Sequence, residues 1–217
     1  MNLEQARFNM IEQQIRTWRV LDTDALDLLG VVRREDFVPP AWRNLAFADI
    51  EVPLGFGVAM LAPKIEAHAI QALKLDKKEN VLEIGTGSGH MAALLAVHAE
   101  RVWSVEIVPE LAATARANLQ RQGIANVSVE TGDGVYGLPT HAPYDVIMVS
   151  AGLPFVPQEL LAQLKVGGRM FAIVGEAPVM TAQLIVREAE GAFRTVSLFE
   201  TQVAPLANAP TRPRFVF

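Results

Sequence analysis

The sequence predicts an α/β fold, doubly wound around a mostly parallel seven-stranded sheet and preceded by an N-terminal helical extension. Three observations predict it. From residue 80 onward short apolar runs alternate with helical patterns, the first of these runs passes without a break into a glycine-rich turn, and the segments before it carry apolar residues at helical spacing. At 217 residues and 51% hydrophobic content, the chain can bury one sizeable core with an appendage. The expected division is an N-terminal, substrate-side extension over 1–78, a ligand-binding core over 79–200 and a tail over 201–217.

Taken in order, residues 3–16 place Leu3, Phe8, Ile11 and Ile15 at helical intervals among Glu, Gln and Arg, which predicts an amphipathic helix. A second helix follows over 24–32, with Asp22 or Thr23 as its N-cap, and Arg-Glu-Asp-Phe-Val-Pro-Pro (34–40) breaks it. Val52-Pro-Leu-Gly-Phe-Gly57 reads as a loop with two glycines around an aromatic residue. Pro63 suits the first turn of a helix over 64–74. Strands are expected at 80–84, 101–106, 127–131, 144–149 and 168–174, with helices at 89–98, 109–122 and 157–164 between them. Stretches 182–187 and 193–199, separated by Glu188-Ala-Glu-Gly191, predict an antiparallel hairpin that finishes the sheet. The proline- and alanine-rich tail over 203–217 is expected to be irregular and surface-hugging, with Phe215-Val216-Phe217 docked at its end.

Composition removes several classes of function. A net charge of −5 with scattered basic residues argues against a nucleic-acid-binding face. The absence of cysteine excludes disulfides, thiolate nucleophiles and cysteine metal sites, and no His/Asp/Glu spacing suggests a metal. Charged residues interrupt the first twenty positions, and no uncharged apolar run reaches the roughly 18–20 residues of a membrane span. A soluble, cytoplasmic protein without membrane partners is the expectation.

The chemistry centres on Val81-Leu-Glu-Ile-Gly-Thr-Gly-Ser-Gly-His90. Val81, Leu82 and Ile84 form a strand buried on both faces, and Gly85, Gly87 and Gly89 let a ligand approach main-chain N–H groups. A dinucleotide fingerprint would need a third glycine at position 90, where His90 stands, and no Gly-Lys-Ser/Thr follows to hold a phosphate. The pattern Glu83-x-Gly85-x-Gly87-x-Gly89, with Thr86 inside it, instead resembles motif I of the S-adenosylmethionine-dependent methyltransferases. A carboxylate at Glu83 would attract a cofactor that carries an ammonium and a sulfonium but no pyrophosphate. Glu106, which ends the next strand 21 residues after Gly85 and precedes Ile107, is placed to grip a ribose diol. Gly132-Asp133-Gly134, after the third strand, can meet the adenine edge, although it is also ordinary turn chemistry. Ser150 ends the fourth strand on the side of the transferable methyl group, and Asp145, at the strand's other end, reads as structural.

The resemblance extends beyond one motif. Met-Ile-Glu-Gln-Gln-Ile-Arg (10–16), Arg-Glu-Asp-Phe-Val-Pro (34–39), Pro-Leu-Gly-Phe-Gly (53–57), the glycine motif (81–89), Gly-Asp-Gly (132–134) and Leu-Lys-Val-Gly-Gly-Arg (164–169) together resemble the protein-L-isoaspartate O-methyltransferase family over nearly the whole chain. The resemblance implies a Rossmann-like core over 79–200 that binds S-adenosylmethionine. It further implies a soluble enzyme that methylates the free α-carboxylate of isomerised aspartates in protein or peptide substrates. A carboxylate is already an anion at neutral pH, so no general base is expected, and proximity and orientation can supply roughly 7–11 kcal/mol.

One segment departs from the family pattern. Where the family reads approximately Gln-Thr-Ile-Ser-Gln-Pro, this chain has Val58-Ala59-Met60-Leu61-Ala62-Pro63, so Leu61 stands at the serine position and every hydrogen-bonding side chain is gone. Each neutral hydrogen bond lost there is worth about 0.5–1.5 kcal/mol. The substrate-side loop, Gly55, Phe56, Gly57, Met60, Leu61 and Lys64, therefore admits two readings. It forms an apolar acceptor pocket in which Lys64, one turn before His68, meets an anion, or these are packing and solvated residues. No catalytic residue is assigned. The competing functions are a methyltransferase for a less polar or small-molecule acceptor, and a cofactor-binding regulatory module without catalysis.

Overall fold

The computed structural model describes residues 2–211. A seven-stranded sheet runs through the chain, built from β3 (Asn80–Ile84), β4 (Arg101–Glu106), β5 (Val127–Thr131), β6 (Tyr144–Leu153), β7 (Leu164–Glu176), β8 (Val179–Ala189) and β9 (Ala192–Thr201). Its spatial order is β5-β4-β3-β6-β7-β8-β9. The first five strands pair in parallel and the last two close the sheet as an antiparallel meander. Strand order reverses between β3 and β6, so a crevice opens at their carboxyl ends, where ligands bind in open α/β sheets. The expected fold class is the one observed.

Alternation along the strands explains why the sheet has helices on both sides. Val81, Val146, Met148, Phe171 and Ile173 belong to one buried cluster, while their neighbours Leu82, Ile147, Val149, Met170 and Ala172 belong to another on the opposite face. Strands apolar on both faces are stable only when both are covered. The first cluster also takes in Met10, Ile15, Ala25, Leu26 and Leu29 from the N-terminal segment and Ile65, Ala69 and Leu73 from α3 (Pro63–Leu73). The N-terminal extension thus shares a core with the sheet. No helix among the described residues is long and apolar enough to cross a membrane.

Several boundaries differ from expectation, each for a local reason. The first helix is α-helical only over α1 (Leu3–Asn9) and then widens into a π-helical turn over Met10–Ile15 and a 3₁₀ turn over Arg16–Trp18, before α2 (Thr23–Val31). The stretch read as a loop at 52–57 is a hairpin, β1 (Val52–Gly55) against β2 (Val58–Met60), whose turn carries Phe56 at φ 55° between two positive-φ glycines. α4 (His90–Val97) and α5 (Pro109–Arg121) follow the prediction closely. The helix expected over 157–164 shrinks to α6 (Gln158–Leu161), because Leu164 pairs with Tyr144 and starts β7 four residues early. The last hairpin is longer than expected, with β8 and β9 paired from Met180–Thr201 to Ala189–Ala192.

The tail is irregular but stitched down. Gly152 donates its N–H to the Ala204 carbonyl at 2.8 Å, and Leu206 returns one to the Gly152 carbonyl at 2.7 Å, so the tail crosses the end of β6. The expected docking of Phe215-Val216-Phe217 lies outside the described residues. Asp145 is structural. It accepts the Asn80 N–H at 2.8 Å and the Lys165 ammonium at 2.7 Å, tying the starts of β3, β6 and β7 together.

Tyr144 is fully buried at the start of β6, and its hydroxyl donates to the Leu138 carbonyl at 2.6 Å. Replacing it as Tyr144→Phe removes the shorter of that carbonyl's two hydrogen bonds and leaves only the His141 N–H at 3.3 Å. The expected loss is about 1–2 kcal/mol, read in urea unfolding as a lower midpoint at unchanged slope.

Candidate active site

The crevice at the β3/β6 switch point holds a narrow cavity of about 60 Å³. Gly85, Gly87, Glu106, Ile107, Asp133 and Ser150 line it, together with Gly134, Val58 and Ala59 of the hairpin and Pro205, Leu206 and Ala207 of the tail. Of three larger hollows, those of about 640 and 940 Å³ lie elsewhere on the surface and the one of about 810 Å³ adjoins this cavity at Pro205, but among the described residues only this cavity combines a glycine cradle with two convergent acids.

Backbone angle favours the glycines at both positions, and space adds to it at the second. Gly85 (φ +89°) faces Ser150, where an added Cβ would stand in ordinary contact at 3.7 Å from the serine Cβ, while at Gly87 (φ +53°) one would stand 3.1 Å from Leu54 Cδ1. A side chain at either position would fill the cradle. Gly89 caps α4 and Gly132 donates its N–H to the Glu106 carbonyl at 2.9 Å, and both stand back from the cavity wall.

Glu106 is 4% exposed, and its two oxygens accept the Gly87 N–H at 2.8 Å and the Val108 N–H at 3.0 Å. It therefore braces the glycine loop and opens the next helix, while its remaining lone pairs point to the needs of a diol. Asp133 accepts the Val135 N–H at 3.0 Å on one oxygen and the Asn208 side-chain amide at 2.9 Å on the other. An amide N–H₂ from the tail thus occupies the acceptor that an adenine amino group would use.

Glu83 departs from its expected part. It is fully buried behind the loop and lines no part of the cavity. Ser104 donates to it at 2.6 Å and Ser150 at 3.2 Å, and Thr86 joins the chain through Ser104 at 2.5 Å. Burial pushes its pKa up to about 8 against the two serine hydroxyls, so at neutral pH the group is mostly protonated. The expected pull of a full negative charge at Glu83 is replaced by a hydrogen-bonded link from the loop to Ser150.

The substrate-side residues divide. Met60 and Leu61, both buried, line a second cavity of about 30 Å³ beside the first, while Phe56 is 63% exposed and borders the 640 Å³ hollow. Gly55 and Gly57 form the hairpin turn between β1 and β2. Lys64 is turned away, 2.8 Å from Asp49 and over the Trp18 ring, so the reading in which it meets an anion in the pocket is not what the structure places there. His68 packs on Phe199 with ring centroids 4.5 Å apart, and burial lowers its pKa. Among the described residues no group of three or more His, Cys, Asp or Glu could hold a metal.

Glu66 and the tail residues 205–207 went unread in the sequence. Glu66 carried a signal, a lone acid on a helix face whose neighbours Ile65, Ala67, Ala69 and Ile70 are all buried. The tail carried none, since Pro-Leu-Ala has no chemistry until the chain path lays it across β6.

The residues present fit S-adenosylmethionine, with acids at the ends of β4 and β5 for sugar and base and close-approach backbone at Gly85 and Gly87. Glu83 provides a pH test. Its folded pKa lies above the unfolded carboxylate value of 4.5, so its neutral form stabilises the fold at low pH, and stability falls as pH rises from about 5 to about 8. Glu83→Gln removes this dependence. In urea unfolding followed across that window, the stability advantage of Glu83→Gln over the unsubstituted chain is expected to grow by about 1.4 kcal/mol for each pH unit and to level off above it.

The comparisons with known proteins agree on one family. The profile described as Protein-L-isoaspartate(D-aspartate) O-methyltransferase matches residues 5–210. A protein-L-isoaspartate O-methyltransferase of Anaeromyxobacter dehalogenans (strain 2CP-C) is 45% identical over 193 residues, covering 88% of this chain and 92% of that one. A protein-L-isoaspartate O-methyltransferase 2 of Pelobacter propionicus is 41% identical, over 96% and 93% of the two chains. Among solved structures, a Plasmodium falciparum protein in complex with S-adenosyl-L-homocysteine superposes with a TM-score of 0.80 at 19% identity, over 91% and 96% of the chains, which supports the fold. The chain belongs to the protein-L-isoaspartate(D-aspartate) O-methyltransferase family and is an S-adenosylmethionine-dependent methyltransferase.

Proposed function

We propose that the chain methylates a carboxylate in a protein or peptide, the free α-carboxylate of an isoaspartyl residue; the relatives' names specify O-methylation of protein L-isoaspartate. One observation carries the reading. The cofactor cavity and the 810 Å³ hollow meet at Pro205 and at the adjacent Ala151 and Gly152, so a bulky acceptor can reach the cradle from the tail side. That hollow is lined mainly by Pro154, Val179, Met180, Val203 and Pro210, an apolar trough suited to a chain segment. Glu106 would hold the ribose diol, Asp133 the adenine edge once Asn208 releases it, and Ser150 with Gly85 would border the reacting centre.

When bound, S-adenosylmethionine supplies a methyl carbon on a sulfonium. An acceptor carboxylate, already an anion, would take that methyl in line with the C–S electron pair returning to sulfur, so the chain would need no general base. The chain's own work is to bind, align and exclude water. A second reading, a less polar or small-molecule acceptor, is favoured by the apolar side chains of Ala59, Met60 and Leu61 on the cavity wall.

Labelled methyl transfer to an isoaspartyl peptide, giving a base-labile ester, is the expected outcome. No transfer by a preparation that binds S-adenosylhomocysteine would sink the assignment, and transfer confined to small apolar acceptors would select the second reading. Val179 is 66% exposed in the trough, so Val179→Trp is expected to raise KM for the peptide roughly five- to tenfold with unchanged affinity for S-adenosylhomocysteine.

A further inference from the structure

The smaller cavity shares Ala59, Gly85, Gly87 and Ser150 with the larger one, so the two form one trough with different ends. Glu106 and Asp133 stand at one end. At the other stand Glu66 and His90, both 2% exposed, facing the apolar side chains of Met60 and Leu61.

His90 Nδ1 lies 3.0 Å from both carboxylate oxygens of Glu66, and the Arg34 guanidinium pairs with the same carboxylate and stands 3.4 Å from Nδ1. Arginine offers no acceptor and an ionised carboxylate offers no donor, so Nδ1 carries the proton and donates it to Glu66. Arg34 already balances the charge of Glu66, and a neutral imidazole keeps the buried cluster at zero. Nε2 is then a bare acceptor. It is buried and has no partner among the described residues, and a buried polar atom without one is costly. It calls for a donor delivered by a ligand.

A ligand whose sugar and base lie at the Glu106 end and whose sulfur lies near Ser150 carries its amino-acid end toward His90. We propose that His90, oriented by Glu66 and Arg34, receives the α-ammonium of the cofactor at Nε2. The proposal rests on the cofactor assignment and not on the acceptor, so it can fail or succeed whatever is methylated.

Calorimetric titration of the full chain separates the possibilities with three ligands: S-adenosylhomocysteine, its analogue without the α-amino group, and 5′-methylthioadenosine, which lacks the whole amino-acid end. The unsubstituted chain is expected to prefer S-adenosylhomocysteine over the deaminated analogue by roughly ten- to a hundredfold, the range of a hydrogen bond to a charged group. His90→Phe is expected to lose a similar factor for S-adenosylhomocysteine and less than about threefold for the other two ligands. His90→Gln, which can present a carbonyl oxygen at similar reach, retains most of the affinity. Equal losses for all three ligands would mean that His90 only supports the fold, and overturn the proposal. So would an unchanged affinity in His90→Phe, or equal binding of the deaminated analogue by the unsubstituted chain. If His90→Phe does not fold, that ligand comparison together with His90→Gln decides the matter.

Discussion

The geometry of the site depends on one buried cation. Arg34, with a side chain 3% exposed, donates to the Ala46 carbonyl at 3.0 Å, to the Leu61 carbonyl at 2.8 Å and to the Glu66 carboxylate. Those partners belong to the turn before the hairpin, the exit of β2 and the first turn of α3. Burial alone would push the Glu66 carboxyl up, but Arg34 and His90 outweigh it and hold the pKa below its usual value. Neither charge could remain in the interior alone, since removing one member of a buried pair typically costs about 3–5 kcal/mol. The N-terminal extension therefore fixes the strand that forms one wall of the cofactor trough. Arg7 repeats the device one layer out by pairing with the buried Glu35.

This arrangement explains how much of the molecule was legible in the sequence. Strands β3, β4 and β5 were read to the residue because each is a short segment of apolar or alternating residues closed by Gly, Glu or Thr, a local signal that tertiary structure has no reason to override. The hairpin at 52–60 was missed because its strands are short, its turn places Phe56 at positive φ, and its pairing lacks the usual two-residue turn signal. β7 was started late because Val166-Gly167-Gly168 resembles a break, and only pairing with β6 carries the strand through it.

In the site, glycine spacing and the acid at 106 were readable since motif and strand end coincide. The partnership of Arg34, Glu66 and His90 was not, because it joins residues 24 to 56 positions apart on three elements. The tail's place over β6 was likewise invisible, being fixed by backbone hydrogen bonds to Gly152 that any sequence could make. The missed features are those in which unlike segments meet.

The protonated state of Glu83 fits the proposed reaction better than the ionised one. Transfer from a sulfonium to a carboxylate destroys a pair of opposite charges, so the transition state is less polar than the reactants. An ionised acid fixed beside the sulfonium in a dry site would stabilise the reactants more than the transition state, and uniform or reactant-favouring binding does not accelerate chemistry. Held near 8 by burial, Glu83 keeps its charge out of that balance at neutral pH while still positioning Ser150 by a hydrogen bond. In the proposed placement the carboxyl groups of Glu106 and Asp133 border one end of the trough, while at the other end the Glu66 carboxylate is already paired with Arg34 beside His90.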